Sequence, residues 1–329
     1  MVSIKDVAKH AGVAVSTVSK VLNHYPNISE ETRIKVATAV EQLQFVPNTV
    51  AAALSSKQAG RAALLIHLNN RTQAIDEISM QYIAGAVHEA KERKLDIITI
   101  FFSMIEEMSL EELTVYLKSQ NITGLIICGI NRECRALNAL IENQIFKTVM
   151  VDAPLINEST SCVWVDQKQA QMEVARKTIL DNNGHRILYL SGKKNGYVAE
   201  LRAQGMEELA KELNLQLMVK CGNFSELQSR KLTFEYGRDR DVIVCASDLM
   251  AIGAMRALTE MDIFRPVCGF DGITLMGYAG KQMNTVRQDF YAIAAKAVEE
   301  LQYLIRGGEG REVLMPHTLV RLKYEDIIC

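Results

Sequence analysis

Residues 3–23 read SIKDVAKHAGVAVSTVSKVLN, and two short helices separated by a glycine can be read directly from them. Ser3, followed three residues later by Asp6, forms a capping box, in which each side chain can meet the other's backbone amide at a helix start. Gly12 favours a helix end. The first helix therefore has one apolar face at helical spacing, formed by Ile4, Val7, Ala8 and Ala11.

A second short helix is predicted from Val15, with an apolar stripe that includes Val18, and a third from Ser29, a preferred N-cap residue. Two short helices joined by a glycine-containing turn are typical of a helix-turn-helix, whose second helix lies in the major groove of DNA. Three short amphipathic helices also occur as a plain small bundle. On this pattern alone, DNA binding and a bundle without that function both stay open.

The outer face of the second helix carries side chains suited to DNA. Lys20 can donate to guanine O6 and N7, Ser16 can bond either base edge, and Val15 can contact a thymine methyl group. Other hydroxyl and amide side chains on this helix suit phosphate oxygens, which fix the register without reading sequence. These are Thr17, Ser19 and Asn23.

The next residues, FVPNTVAAAL at 45–54, favour the DNA-binding interpretation. Pro47 ends the third helix, and Asn48 is a suitable N-cap for another. That helix would reach about Ser56, and isolated helices this short are marginal in water. Such a segment can be folded in one state and melted in another.

Several motifs of this headpiece occur together in a known family. They are Ile4-Lys5-Asp6-Val7-Ala8, Ala11-Gly12-Val13, TVSKVLN at 17–23, SEETR at 29–33, and Pro47-Asn48 with Ala51 and Leu54. Further matches follow along the body: GHRI at 184–187, LRAQG at 201–205, SDLMAIGA at 247–254, GFD at 269–271, RQDF at 287–290 and LVR at 319–321. In these motifs, spread over essentially the whole chain, it closely resembles the lac repressor (LacI/GalR) family.

The resemblance implies roles for the headpiece residues. Val15, Ser16 and Lys20 match the family's base-reading positions, and residues 48–56 match its hinge helix, which folds when two subunits meet on the operator. Leu54 matches the wedge that enters the minor groove and kinks the duplex; the alternative is a linker residue packed within its own dimer. The predicted DNA-contact set is Ser3, Val15, Ser16, Thr17, Ser19, Lys20, Asn23, Ser29, Thr32, Asn48 and Leu54. Ala14 departs from the family, which usually has Ser at the start of the reading helix.

From Ala62 onward, short apolar runs alternate with helical stretches in two series, which predicts two parallel sheets with helices on both faces. The predicted fold class is α/β, with an all-α helix-turn-helix headpiece (1–46), a hinge and linker (47–59) and two Rossmann-like lobes (60–329). This is a periplasmic-binding-protein-like core for effector binding and dimerisation. Lobe one is predicted to include about 60–157 and 288–316, and lobe two about 158–287 and 317–329.

In open α/β sheets a ligand binds beyond the carboxyl ends of the strands. By resemblance, Arg202 matches the family arginine whose guanidinium group forms bidentate hydrogen bonds to ligand oxygens. Asp271 matches the family carboxylate that accepts hydrogen bonds from ligand hydroxyl groups. Such groups with flat aromatic rings suit a sugar or sugar phosphate. Ser247 stands where the family often has Asn, and Asp248 is expected to cap the following helix. The predicted effector contacts are Asn69, Asp152, Trp164, Arg202, Phe224, Ser247, Asp271 and Phe290.

Composition fits a regulator better than other classes. The net charge is −2, but residues 1–60 carry six basic against four acidic side chains, a weak sign of a DNA-facing end. The seven cysteines contain no C-x-x-C, so neither a disulfide framework nor a metal site is expected. No apolar run approaches the length of a membrane helix, and no signal peptide precedes the headpiece, so the chain is expected to be cytoplasmic.

A ligand-gated repressor is the function that the sequence favours, and three other functions are its alternatives. A sugar receptor or transporter component is disfavoured by the headpiece, and an enzyme by the lack of a phosphate loop or a G-x-S-x-G elbow. No cofactor is expected. A DNA-binding regulator controlled by a protein co-regulator, of the catabolite-control type, stays open. The expected partners are a pseudo-palindromic operator, a small effector and a second copy of the chain, since no heptad tail suggests a tetramer.

Overall fold

The computed structural model describes residues 2–22, 25, 27–45, 61–67, 77–279 and 283–321. The predictions made for Asn23, Asn48, Leu54 and Asn69 lie outside these residues. The chain divides into two compact units, Met1–Ala59 and Gly60–Cys329.

Among its described residues, the first unit contains three helices: α1 (Ile4–Ala11), α2 (Val15–Leu22) and α3 (Glu30–Gln42). The predicted capping box is confirmed, since the Ser3 amide donates to Asp6 Oδ2 (2.8 Å) and the Asp6 amide to Ser3 Oγ (3.4 Å). Gly12 ends α1 in the left-handed region, at φ 63°. Ser29 caps α3, as predicted. The three helices share a small core of Val7, Ala8, Val18, Val36 and Ala39.

Lobe one of the second unit is a six-stranded sheet whose paired strands are all parallel. The strands run in the order β11-β5-β4-β3-β1-β2, as in the doubly wound folds. They are β1 (Arg61–Ile66), β2 (Ile97–Phe101), β3 (Ile122–Cys128), β4 (Lys147–Val151), β5 (Thr160–Val165) and β11 (Glu312–Met315). The helices of this lobe are α4 (Glu77–Glu92), α5 (Leu110–Ser119), α6 (Arg135–Glu142) and α11 (Phe290–Ile305).

Lobe two repeats the architecture with one difference, because its last strand runs antiparallel to its neighbour. The order is β12-β10-β9-β8-β6-β7. The strands are β6 (Arg186–Ser191), β7 (Gln216–Cys221), β8 (Val242–Cys245), β9 (Val267–Cys268), β10 (Asn284–Gln288) and β12 (His317–Arg321). The helices are α7 (Gln167–Asp181), α8 (Tyr197–Glu212), α9 (Glu226–Tyr236) and α10 (Asp248–Glu260), with a 3₁₀ segment at Thr274–Ala279.

The two-lobed parallel architecture is as predicted, but the boundary expected near residue 158 is misplaced. Strand β5 belongs to the first sheet, where it pairs with β4 on one side and β11 on the other. Its first residues, Thr160, Ser161 and Cys162, give only a weak apolar signal, yet all three are buried because the strand is interior to the sheet. The chain therefore leaves lobe one after Val165 and enters lobe two at Gln167.

Candidate effector cleft and DNA-reading helix

The cleft between the lobes is lined by residues that follow strand ends. Asp152 follows β4, Gly192 follows β6, and Asp271 lies a few residues after β9. The chain passes between the two sheets close to these ends three times, at Asp166, at Asp289 and at Pro316. Because the carboxyl ends of parallel strands are where open α/β sheets bind ligands, this is the candidate effector site.

Arg202 is the central charged residue of the cleft. It lies on α8 and is 4% exposed. Its Nε–H donates to Gln167 Oε1 (2.9 Å), one terminal nitrogen donates to the Ala246 carbonyl, and the other lies 3.4 Å from Asp271 Oδ1. The guanidinium also stacks on the Phe270 ring, 3.6 Å from its centre. These contacts fix the orientation of the Arg202 guanidinium group, as planar or bidentate recognition of a ligand requires.

Asp271 faces Arg202 from a constrained backbone, with φ 115°. Burial raises the pKa of its carboxyl group to about 6, although the Arg202 charge acts in the opposite direction. The loop that follows is held by Asp248, whose Oδ2 accepts the amides of Gly272 (2.7 Å) and Ile273 (2.9 Å). Asp248 thus anchors the turn that presents Asp271 to the cleft.

The prediction that Asp248 caps α10 is wrong, because Ser247 does so: the Met250 amide donates to Ser247 Oγ. Ser and Asp are both good caps, and the amides of Gly272 and Ile273 hold the Asp248 carboxylate elsewhere. Ser247 is also only 4% exposed. Ser247 directly follows Ala246, whose carbonyl accepts from Arg202, and its role as an effector contact stays a prediction.

Asp152 belongs to lobe one, and its own backbone is in the left-handed region, with φ 55°. Its Oδ1 accepts from the Val165 amide and from Gln167 Nε2, both at 3.0 Å. Burial raises the pKa of the Asp152 carboxyl group, and these hydrogen bonds act against that rise. The pKa of the Tyr82 hydroxyl is raised well above its ordinary value, first by burial and then by the charges of Asp152 and Asp271.

Two glutamines complete the cluster, and sequence analysis did not identify either. Gln167 and Gln288 are 1% and 4% exposed, and Gln167 Nε2 donates to Gln288 Oε1 (3.1 Å). Gln288 Nε2 in turn donates to Asp271 Oδ1 (3.3 Å). The available signal was their position, since Gln167 follows a strand closely and Gln288 ends one within the RQDF motif.

The three predicted aromatic residues differ in their packing and burial. The Phe224 ring packs directly on Gly192, where a Cβ would come within 2.1 Å of the ring, so this position requires glycine. Trp164 is half-buried on β5, and no described group hydrogen-bonds its buried indole N–H. Phe290 is only 4% exposed and packs edge-on against Tyr82 in the hydrophobic core of lobe one.

In the headpiece, α2 presents the predicted DNA-reading face. Val15 is 40% exposed, and Ser16 and Lys20 are also exposed, whereas Val18 is fully buried on the opposite side. Thr17 and Ser19 are half-buried. Three other residues of the predicted DNA-contact set lie at helix starts: Ser3 Oγ lies 2.7 Å from Asp6 Oδ2, and Ser29 Oγ lies 2.8 Å from Thr32 Oγ1. The roles of all these residues toward DNA stay predictions.

Among the described residues, no group of three or more His, Cys, Asp or Glu side chains could hold a metal ion. The described helices include none that is both long and apolar enough to span a bilayer.

A helix-turn-helix unit, followed in the same chain by a two-lobed body with a buried polar cleft, defines the class of bacterial regulators with a periplasmic-binding-protein-like body. Two family models match: "Bacterial regulatory proteins, lacI family" over residues 3–48, and "Periplasmic binding proteins and sugar binding domain of LacI family" over 73–267. The second alone covers more than half of the chain, and the chain belongs to the LacI family. This confirms the resemblance drawn from the sequence.

Curated relatives match over nearly the full chain. The lactose operon repressor of Escherichia coli K12 is 28% identical, over 98% of this chain and 90% of its own. The ribose operon repressor of Halalkalibacterium halodurans is 28% identical, over 90% and 88%. The regulator AscG of Escherichia coli K12 is 26% identical, over 94% of each chain.

Solved structures show the same architecture. The lac repressor dimer bound to operator and the anti-inducer ONPF has a TM-score of 0.82 at 25% identity, over 98% of both chains. A complex of the transcriptional regulator CelR with cellobiose has a TM-score of 0.71 at 24% identity, over 98% of this chain and 99% of its own, and supports the fold alone.

The raised pKa of Asp271 gives the body a testable pH dependence. Because the folded protein holds this proton more tightly than the unfolded chain, this group's contribution to the free energy of unfolding falls as pH rises from its ordinary pKa of 3.8 to about 6. A shift of about two pKa units corresponds to about 3 kcal/mol. We expect the free energy of unfolding of Asp271→Asn, taken relative to that of the unaltered protein, to increase by about that amount between about pH 4 and pH 7.

Urea unfolding of both proteins at the two pH values measures this difference, and the subtraction removes the other titrating groups. Asp241→Asn is the control, because Arg186 holds the pKa of the Asp241 carboxyl group below its usual range, so this group is largely ionised in both states above about pH 4 and the difference for that variant should stay nearly constant. A stability difference for Asp271→Asn that stays constant across this range would contradict the prediction.

Proposed function

We propose that this protein is an operator-binding transcriptional repressor of a carbohydrate-utilisation operon, controlled by a small sugar-like effector in the cleft. The observation that carries the proposal is the buried contact of Arg202 with Asp271 and Gln167 at the carboxyl ends of the strands. Relatives named for lactose and ribose operons match 90% or more of the chain in sequence. The headpiece then supplies DNA recognition through Val15, Ser16 and Lys20.

The chemistry of the cleft favours a hydroxyl-rich neutral ligand. A hydroxyl group both donates and accepts, so it can satisfy the Asp152 and Asp271 carboxylates and the Arg202 guanidinium together. The Arg202 charge is already shared with Asp271, which makes the residue a weaker partner for a phosphate group. Phe224 and Trp164 add flat surfaces for the C–H faces of a sugar ring.

The proposed repressor acts as a homodimer on a pseudo-palindromic operator, one headpiece per half-site, as in the lac repressor dimer bound to operator. Effector binding changes the relation of the two lobes, and the connection at 47–59 carries that change to the headpiece. Those residues lie outside the described structure, so the hinge role is a prediction. Coupling between such sites usually amounts to about 1–3 kcal/mol, or roughly 5- to 150-fold in affinity.

Selection from a random duplex library tests the DNA-binding part. We expect the full-length protein to enrich an inverted repeat. D-ribose, lactose and cellobiose are then titrated at fixed salt into the complex with the enriched duplex, and in parallel into the free protein with Trp164 fluorescence as the readout. One sugar should change the operator affinity by about 5-fold or more.

The outcomes separate the possible failures. No enriched duplex even at low salt would reject DNA recognition. An enriched duplex whose affinity no sugar changes would reject sugar control and favour the protein co-regulator alternative. A response to a purine base such as hypoxanthine, with none to sugars, would keep the cleft as a ligand site but reject the carbohydrate assignment.

A further inference from the structure

Gln167 is the one described side chain whose amide hydrogen-bonds charged residues of both lobes in the cleft. It is the first residue of α7, at the point where the chain leaves lobe one. Its Oε1 accepts from Arg202 Nε in lobe two, and its Nε2 donates to Asp152 Oδ1 in lobe one. The side chain is 1% exposed, so all of its hydrogen-bonding capacity must be met inside the protein.

The Arg202 guanidinium group determines which atoms of the cluster donate hydrogen bonds and which accept them. A guanidinium only donates, so Gln167 must turn its oxygen to Arg202 and its NH₂ group to Asp152 and Gln288. Gln288 then donates to Asp271, and Asp271 accepts from Arg202. The four side chains of Arg202, Gln167, Gln288 and Asp271 form a closed ring of hydrogen bonds, to which Asp152 is attached through Gln167.

The geometry points to Gln167 as a positioning residue for effector recognition; this inference rests on the proposed function. Within the described structure, Gln167, the Ala246 carbonyl and Asp271 engage three of the five N–H groups of Arg202, which leaves two for ligand oxygens. By holding Nε, Gln167 sets the plane of the guanidinium. By donating to Asp152, it holds the carboxylate of lobe one within reach of the same ligand, and such preorganisation improves affinity.

Only an amide fits this position. Gln167→Met keeps the length of the side chain but has neither the acceptor nor the two donors. Gln167→Glu keeps the acceptor for Arg202, but places an ionised carboxylate against Asp152 Oδ1 and Gln288 Oε1. When protonated, that carboxyl group regains one donor beside its acceptor and resembles the amide. The two variants therefore make different predictions: Gln167→Met loses the acceptor for the Arg202 Nε–H, and Gln167→Glu keeps it.

Gln171 supplies a matched control on the same helix. It lies one turn later and is fully buried, and neither atom of its amide has a hydrogen-bond partner among the described groups. Replacing an unpartnered buried amide by an apolar side chain of similar shape is neutral or stabilising. Gln171→Met therefore reproduces the change in composition and burial without touching the ring.

The first measurement needs no ligand. In protein labelled with ¹⁵N-arginine, the Nε–H signal of Arg202, assigned from its loss in Arg202→Lys, should exchange slowly with water. Gln167→Met should lose this protection while Gln171→Met keeps it. In Gln167→Glu, which keeps an acceptor for the Arg202 Nε–H, the protection should be retained. Equal protection in all variants would overturn the positioning of Arg202 by Gln167.

The second measurement is titration calorimetry with whichever of D-ribose, lactose and cellobiose binds the unaltered protein. Gln167→Met should bind that sugar about tenfold more weakly or worse, and Gln171→Met should bind it normally. Unchanged affinity in Gln167→Met would overturn the inference and leave the proposed function intact. If the unaltered protein binds none of the three sugars, the carbohydrate assignment fails. The exchange of the Arg202 Nε–H signal then tests the role of Gln167 without a ligand.

Discussion

Arg202→Ala is expected to abolish the response of operator binding to the effector while leaving operator binding itself intact. The substitution removes the group proposed to bind ligand oxygens and leaves the buried Asp271 carboxylate and Gln167 Oε1 without their donor. Truncating one partner of a buried charge pair in a binding site costs about 2–5 kcal/mol, so ligand affinity should fall by at least about 30-fold. The DNA-reading residues lie in the other unit and keep their own core.

Operator affinity with and without a sugar that affects the unaltered protein measures this effect. Arg202→Lys keeps the charge but not the planar fork, and it should lose most of the response as well. Arg176→Ala is the matched control, since Arg176 forms an exposed ion pair with Glu212 on the outer side of lobe two. A full response in Arg202→Ala would exclude Arg202 from the effector site.

The same variant separates a binding role from a structural one. Breaking a buried charge pair costs about 3–5 kcal/mol of stability, so the body of Arg202→Ala should unfold at lower denaturant. Arg202→Met with Asp271→Asn removes both charges and should recover part of that loss. It should not recover the ligand response, because the groups that would contact the ligand are absent.

Much of the fold follows from local pattern. Gly12 and the Ser3–Asp6 box were sufficient to place α1, and the buried runs of the central strands predicted both parallel sheets. Strand β5 was missed because Thr160, Ser161 and Cys162 look like loop residues until neighbours on both sides bury them. Burial imposed by distant strands leaves no periodic signal in the strand itself.

The cleft was predictable only in part for a related reason. Asp152, Arg202 and Asp271 were identified through family positions, and the structure brings these three together. Gln167 and Gln288 carry no charge, and only their positions at strand ends distinguish them from surface glutamines. Their role arises because the topology brings together residues separated by more than 100 positions, such as the 121 between Gln167 and Gln288. No local rule contains that information.

Lys20→Ala is expected to lower discrimination at one base pair in each half-site of the operator. Lys20 is exposed on α2, on the side opposite the buried Val18, so its ammonium group is available to a guanine edge in the major groove. A good base contact contributes about 1–3 kcal/mol of discrimination. A symmetric operator contains two such positions, so the total change should be about 2–6 kcal/mol if the half-sites are independent.

Affinities for the selected operator and for duplexes with each base exchanged at one position measure the effect. Lys35→Ala is the control, because Lys35 is a lysine of the same unit that pairs with Glu31 on α3, away from the α2 face. If Lys20 contacts only phosphate, the loss will be equal on all sequences and the salt dependence will weaken by about one unit of slope per contact. A loss confined to one base pair, with an unchanged salt slope, therefore distinguishes base reading from simple charge attraction, since counterion release depends on the number of phosphates neutralised and not on which bases they join.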